Sequence, residues 1–255
     1  MKALKSKIKK IIFNQLVPTG FYFKHSGFCP CCDQKVHFTA RNNWLRDYFI
    51  CSSCKSIPRE RALMLTIEEY KTNWRDLKIF EISPCERGAS LKLKNECKNY
   101  LASQFYPDKK LGCFYNGFRN ENIENLTFEN EEFDLIISQD VFEHLFNPEK
   151  AFKEIARILK KGGMHIFTVP LINKHNKTEL WAIENRIGEP IFLFEPEWHG
   201  NPISSNGSPV TMHWGFDIVN IIRECSGLET YIKYINNLDF GIRAEYIEVL
   251  VTIKK

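Results

Sequence analysis

Two pairs of cysteines carry the clearest chemical signal in the chain. Cys29-Pro-Cys-Cys32 and Cys51-Ser-Ser-Cys54 are C-x-x-C knuckles, with eighteen residues between Cys32 and Cys51. That is the spacing of a structural zinc site. Zn²⁺ takes four thiolates tetrahedrally at about 2.3 Å, and a C-x-x-C turn lets two sulfurs face one point. Four thiolates leave no open position, so Cys29, Cys32, Cys51 and Cys54 are expected to hold structure rather than to catalyse. Cys31 is spare, and His25 and His37 are nearby alternative ligands. Phe28, Phe38, Trp44, Tyr48 and Phe49 are expected to form a small aromatic core around the metal. The other reading of the cluster is ordinary buried or disulfide-bonded cysteines.

A second group lies after a buried apolar run. FDLIIS (133–138) is followed by Gln139, Asp140, Glu143 and His144. In an open α/β sheet, ligands sit beyond the carboxyl ends of the strands, so these four are expected at a reaction centre. His144 has the pKa of a general base, with Glu143 able to hold its imidazole. A capping or packing role is the alternative. Residues 171–214 are too long for a plain connection. Their Trp181, Trp198, His199, His213 and Trp214 suggest a lid that stacks on a flat or sugar-like acceptor. His199, His213 and Asp217 follow no metal-ligand spacing.

The elements that must position these groups alternate. The pattern gives a helix and an aromatic extended piece over 1–24, the cysteine module over 25–57 and a helix from Pro58 to about Asn73 within a 58–76 link. From Leu77 come strand 77–82, helix 88–98, strand 99–103, loop 104–121, strand 133–138 and a helix capped by Asn147. Lys160, Lys161 and Gly162-Gly163 are expected to end that helix before strand 164–170. A helix capped by Asp217 and stopped at Gly227, then strands 228–235 and 244–253, close the chain. Alternating strands and helices imply a mostly parallel sheet. The short final connection forces an antiparallel pair.

The stretch 133–170, with F-D-L-I, E-H and L-K-K-G-G in order, resembles the class I S-adenosylmethionine-dependent methyltransferases. The resemblance covers about residues 77–255. It implies an α/β Rossmann-like, mostly parallel sheet with an antiparallel C-terminal strand, behind a small zinc ribbon. It also implies S-adenosylmethionine as cofactor, over Glu81, Ser83, Pro84 and Gly88, then Ser103 and Gln104, then Asn122, with Gln139 alongside. The family's E-x-G-x-G-x-G loop departs here: Ser83, Cys85 and Arg87 stand at glycine positions. Ser83 before Pro84 is expected in extended geometry, as a rigid turn needing no positive φ. Gln104 replaces an acidic ribose ligand, and Asn122 an aspartate that receives the adenine amino group. The resemblance places Glu143 and His144 beside the transferred methyl.

Composition bounds the reading. The 255 residues carry a net charge of only +4, with 13% aromatic side chains. That argues against disorder and gives no strong case for wrapping nucleic acid. No stretch has the ~20 apolar residues of a membrane helix. Nine cysteines, an odd number in an uneven cluster, suit a reducing cytoplasm. The expected activity is methyl transfer to a sugar or other small polar acceptor. RNA base methylation and a non-catalytic binding module are the rivals. The sequence sets no oligomeric state.

Overall fold

The computed structural model describes residues 22–201 and 203–255. The basic helix expected over 1–24 falls mainly outside these residues. Strands β1 (Phe23–Cys29), β2 (Gln34–Ala40) and β3 (Ile50–Cys51) form a small antiparallel sheet, with the one-turn helix α1 (Leu45–Tyr48) between the last two. Helix α2 (Pro58–Tyr70) starts at proline, whose missing N–H costs nothing there.

The main sheet follows. It begins with β4 (Lys78–Ile82), α3 (Gly88–Glu96) and β5 (Asn99–Gln104), then the short β6 (Phe114–Tyr115) and β7 (Phe118–Asn120). It continues with β8 (Phe133–Gln139), α4 (Pro148–Ile158) and β9 (Leu159–Thr168). Residues 171–214 hold three small pairings. β10 (Glu179–Leu180) pairs with β15 (Met212–His213), β11 (Ala182–Glu184) with β12 (Pro190–Phe192), and β13 (Trp198–Asn201) with β14 (Ser204–Pro209). Helix α5 (Ile218–Ser226), β16 (Glu229–Lys233) and β17 (Val249–Ile253) end the chain.

The strand order is β16-β17-β9-β8-β4-β5-β7-β6. β7, β5, β4, β8 and β9 run parallel, and β17 lies antiparallel to both its neighbours. Alternate residues of β8 feed two cores, as the two-residue strand period requires. Leu135 and Ile137 face a cluster shared with Phe38, Phe49, Leu63 and Trp74; Ile136 joins Phe152, Ile155 and Ile218 on the other face. The cysteine module therefore packs into the same core as the sheet. Arg61, fully buried, ties the two. It donates to the Phe49 and Gly241 carbonyls and lies 4.6 Å from the Phe38 ring centre.

Several local expectations need correction. Helix α4 ends at Ile158, and Lys160–Gly163 belong to β9. The sheet claims this stretch: Lys160 bonds Asp134 at 2.9 Å, and Gly162 N donates to the Lys254 carbonyl. Asn147 and Asp217 occupy the N-cap positions but make no side-chain cap bond. Asp217 instead accepts from Thr178 at 2.7 Å, pinning the lid. The loop 104–121 contains the β6–β7 hairpin, turned at Asn116-Gly117, both with positive φ.

Candidate functional site

The knuckles converge. The Cys29 and Cys54 sulfurs stand 3.7 Å apart, those of Cys32 and Cys51 4.0 Å, and all four lie within 4.8 Å of one another. Tetrahedral bonds of about 2.3 Å put sulfurs ~3.8 Å apart, so the donor set fits zinc. Cys31 points away, its thiol donating to the Glu60 carbonyl. His37 bonds Ser26, and His25 faces Asp239. Of the expected aromatic core only Phe38 and Phe49 are buried; Phe28, Trp44 and Tyr48 are exposed.

The loop after β4 is stiff. Glu81 is completely buried and accepts from Ser90 at 2.5 Å, Tyr100 at 2.7 Å and Gln139 at 3.2 Å. Gln139 is thus spent beneath the loop. Ser83 has φ +50°, not the extended geometry expected before proline. The position demands the left-handed region that glycine enters freely. Ser83 N donates to the Ser103 carbonyl, which holds the turn against β5. Gly88, at φ +56°, has no room for a Cβ because the Glu60 carboxylate abuts it. Gln104 is buried at the end of β5, and its amide makes no hydrogen bond among the described residues. Asn122 accepts from Glu124 N and so holds its own turn.

Two results are expected here. A left-handed non-glycine residue costs ~1–2 kcal/mol, part of which glycine's entropy offsets. Ser83→Gly should therefore raise stability by a few tenths to about 1 kcal/mol in urea unfolding. A loss would show that the hydroxyl holds the loop. The second concerns pH. Burial pushes the Glu81 carboxyl up to about 7, assisted by the charge of Glu60, while Ser90, Tyr100 and Gln139 pull it down. A carboxyl raised on folding stabilises most below its unfolded value and loses that contribution as pH climbs through the folded one. Thermal stability should fall from about pH 5 to about pH 8, and Glu81→Gln should flatten that fall. Parallel melting profiles for the two proteins would exclude Glu81 as its source.

Beyond β8 the chain makes one 3-10 turn, Phe142–His144, which presents Glu143 and His144. Asp140 does not reach them. Its carboxylate accepts from Arg46 at 2.6 Å and Thr168 at 2.9 Å and pairs with the Arg59 guanidinium at 2.9 Å. Burial alone would raise Asp140, but the two guanidiniums outweigh it and hold the carboxyl well below the usual range. Glu143 is also buried, yet neither carboxylate oxygen has a hydrogen-bond partner. Burial, with the Asp140 charge nearby, pushes it up to about 8. His144 donates through Nδ1 to the Pro209 carbonyl of the lid at 2.8 Å, and burial lowers its pKa.

A cavity of about 190 Å³ opens at Glu143, lined by Trp44, Arg46, Glu197, His199, Met212 and Tyr246 among others. The sequence reading missed Trp44, Arg46, Glu197 and Tyr246 as site residues, because no local spacing joins them to β8. The lid tryptophans serve elsewhere. Trp214 is core, Trp181 stacks on His213 at 3.7 Å, and Trp198 packs on Phe192. A separate cavity of about 600 Å³ lies between α3, β5 and the β6–β7 hairpin, reaching the loop only at Pro84, Cys85 and Glu86.

Five parallel strands whose order reverses at β4, followed by the antiparallel β17, make the Rossmann-like methyltransferase fold. Residues 94–167 match the family model of a methyltransferase domain; the match begins after the altered loop. Fifty residues are 42% identical to sarcosine/dimethylglycine N-methyltransferase from Aphanothece halophytica, a stretch that is 20% of this chain and 18% of that relative. Similar solved structures include an S-adenosylmethionine-dependent methyltransferase from Mesorhizobium loti, at 12% identity and TM-score 0.47 over 75% of this chain and 96% of that one. The PH0226 protein from Pyrococcus horikoshii OT3 is similar at 16% identity and TM-score 0.48, over 77% and 90%. Among the described residues no helix is long and apolar enough to cross a membrane.

Proposed function

We propose that the chain transfers a methyl group from S-adenosylmethionine to a small polar acceptor seated beside Glu143 and His144. The observation that carries this reading is the cavity beyond the carboxyl end of β8, lined by Glu143, with the His144 imidazole 3.7 Å from the Glu143 carboxylate. Its size suits a small molecule rather than a polymer. The relative named above, a sarcosine/dimethylglycine N-methyltransferase, supports a small acceptor, and a sugar remains within the same class. When bound, the cofactor supplies the electrophilic methyl and its leaving group. The chain's own residues do the rest. The Ser83–Gly88 turn and the unpartnered Gln104 amide, with Ser103 and Asn122 beside them, would hold the cofactor. His144 would orient the acceptor and relieve it of its proton, with Glu143 in support.

The same proposal gives one structural zinc to Cys29, Cys32, Cys51 and Cys54. All nine cysteines are unpaired thiols, which supports a reducing, cytoplasmic setting. Residues 25–57 act as a ribbon, 58–76 as a linking helix, and 171–214 as the lid of the 77–255 unit.

Calorimetric titration with S-adenosylmethionine tests the cofactor reading. The wild type should bind modestly. Gln104→Asp should bind several-fold more tightly, since a charge-assisted hydrogen bond is about twice as strong as a neutral one. No heat from either protein would turn the reading to a non-catalytic binding module.

A further inference from the structure

Glu143 and His199 line the acceptor cavity, and with the adjacent His144 they form three groups whose free atoms converge. The His144 Nε2 lies 3.7 Å from a Glu143 carboxylate oxygen, and the His199 Nδ1 lies 3.8 Å from the same oxygen. All three donor atoms fall within 4.8 Å of one another. None of these separations is a hydrogen bond. Three potential donors have therefore been brought together without bonding each other.

The far sides of both imidazoles are engaged. A carbonyl can only accept, so the proton of His144 sits on Nδ1, facing Pro209. His199 Nε2 meets the Glu197 carboxylate at 3.2 Å, which places its proton on Nε2. Glu197 is itself fixed by His213 at 2.9 Å. Each histidine thus turns a bare nitrogen inward and ties its N–H to an oxygen outside. That is the outer-shell arrangement that orients metal-bound imidazoles. The third group is Glu143, 2% exposed, with both oxygens unpartnered. An unpaired buried carboxylate is costly, and among the described residues no hydrogen-bond donor reaches it.

We propose that Glu143, His144 and His199 hold a divalent first-row transition cation in the acceptor cavity. Bonds of about 2.0–2.2 Å need donors ~3–3.6 Å apart, so each imidazole has a few tenths of an ångström to close on the Glu143 oxygen. Two imidazoles and one carboxylate suit zinc, cobalt, nickel or iron better than magnesium or calcium, which prefer all-oxygen sets. Three protein donors leave positions open toward Trp44, Arg46 and Tyr246, where an acceptor oxygen or nitrogen would enter. The cation would polarise that atom, and its proton would pass to the Glu143 oxygen that the cation does not use. The site deepens the acceptor reading given above: His144 then acts on the acceptor through the metal.

The test uses full-length protein loaded with one equivalent of zinc per chain, which the four thiolates take first. Cobalt(II) is added and followed by calorimetry and visible absorption. One cobalt should bind per chain, with d–d bands and no thiolate charge-transfer band. His199 is more than a third exposed, so His199→Ala should fold with unchanged melting. That variant and Glu143→Gln should each bind cobalt at least about 100-fold more weakly. Absence of cobalt binding by the wild type, or equal binding by both variants, would overturn the site. Neither outcome touches the cofactor titration, which needs no cation and tests the cofactor reading separately.

Discussion

Stripping the four-cysteine site with a chelator, or replacing Cys51 by alanine, should unfold residues 23–57 and take the acceptor cavity with them. Three short strands and one turn of helix cannot form an independent core. Phe38 and Phe49 are the only large rings buried there. Binding of a structural zinc contributes on the order of 10–16 kcal/mol to such modules, which far exceeds what two rings supply. The damage spreads because the module is wired into the sheet. Trp44 and Arg46 lie between β2 and β3 and form one wall of the cavity. Arg46 also answers the buried Asp140, and Arg61 answers the Phe49 carbonyl. Removing one partner of a buried charge pair costs about 3–5 kcal/mol. At roughly 2–4 °C per kcal/mol for a chain of this size, melting should fall by about 6–20 °C. Elemental analysis of His199→Ala should show one zinc, lost in Cys51→Ala. A melting temperature unmoved by chelation would show that the thiols hold the module without metal.

This wiring also marks where sequence reading stops. The convergence of Cys29, Cys32, Cys51 and Cys54 was legible because two C-x-x-C turns each aim a pair of sulfurs at one point. The parallel strands were legible because a strand buried on both faces reads as an unbroken apolar run. The β6–β7 hairpin carried a signal, Asn116-Gly117, that supports positive φ at both positions; its brief flanks, two and three residues long, hid it. The end of α4 was misplaced because Gly162-Gly163 reads as a helix stop. In the fold, the C-terminal strand recruits that stretch into β9 from ninety residues away. Ser83 is the opposite case, since local rules favoured extended geometry and pairing with β5 overrode them. The cavity wall was not legible at all. Arg46 and Asp140 are 94 positions apart, and Trp44 and Tyr246 about twice that. No periodicity encodes such pairs; only the docking of the ribbon on the sheet creates them.

His144→Asn should keep the fold and the cofactor site and lose most turnover. The choice of asparagine follows from the two ends of the imidazole. The Nδ1 end donates to the Pro209 carbonyl and fastens the lid, and the asparagine amide nitrogen reaches nearly the same place. The Nε2 end faces Glu143 and His199, and asparagine has nothing there. Alanine would remove both ends, and the lost lid bond alone would cost about 1 kcal/mol. The substitution therefore separates a lid fastener from a chemical group. Once an acceptor is found, turnover should drop by about 10²–10⁴, the usual contribution of a positioned proton-transfer group. Melting and S-adenosylmethionine affinity should stay near wild-type values. Turnover preserved within a few-fold would make His144 a structural link to the lid. Reaction control would then pass to His199 and His213, which share Glu197 above the same cavity.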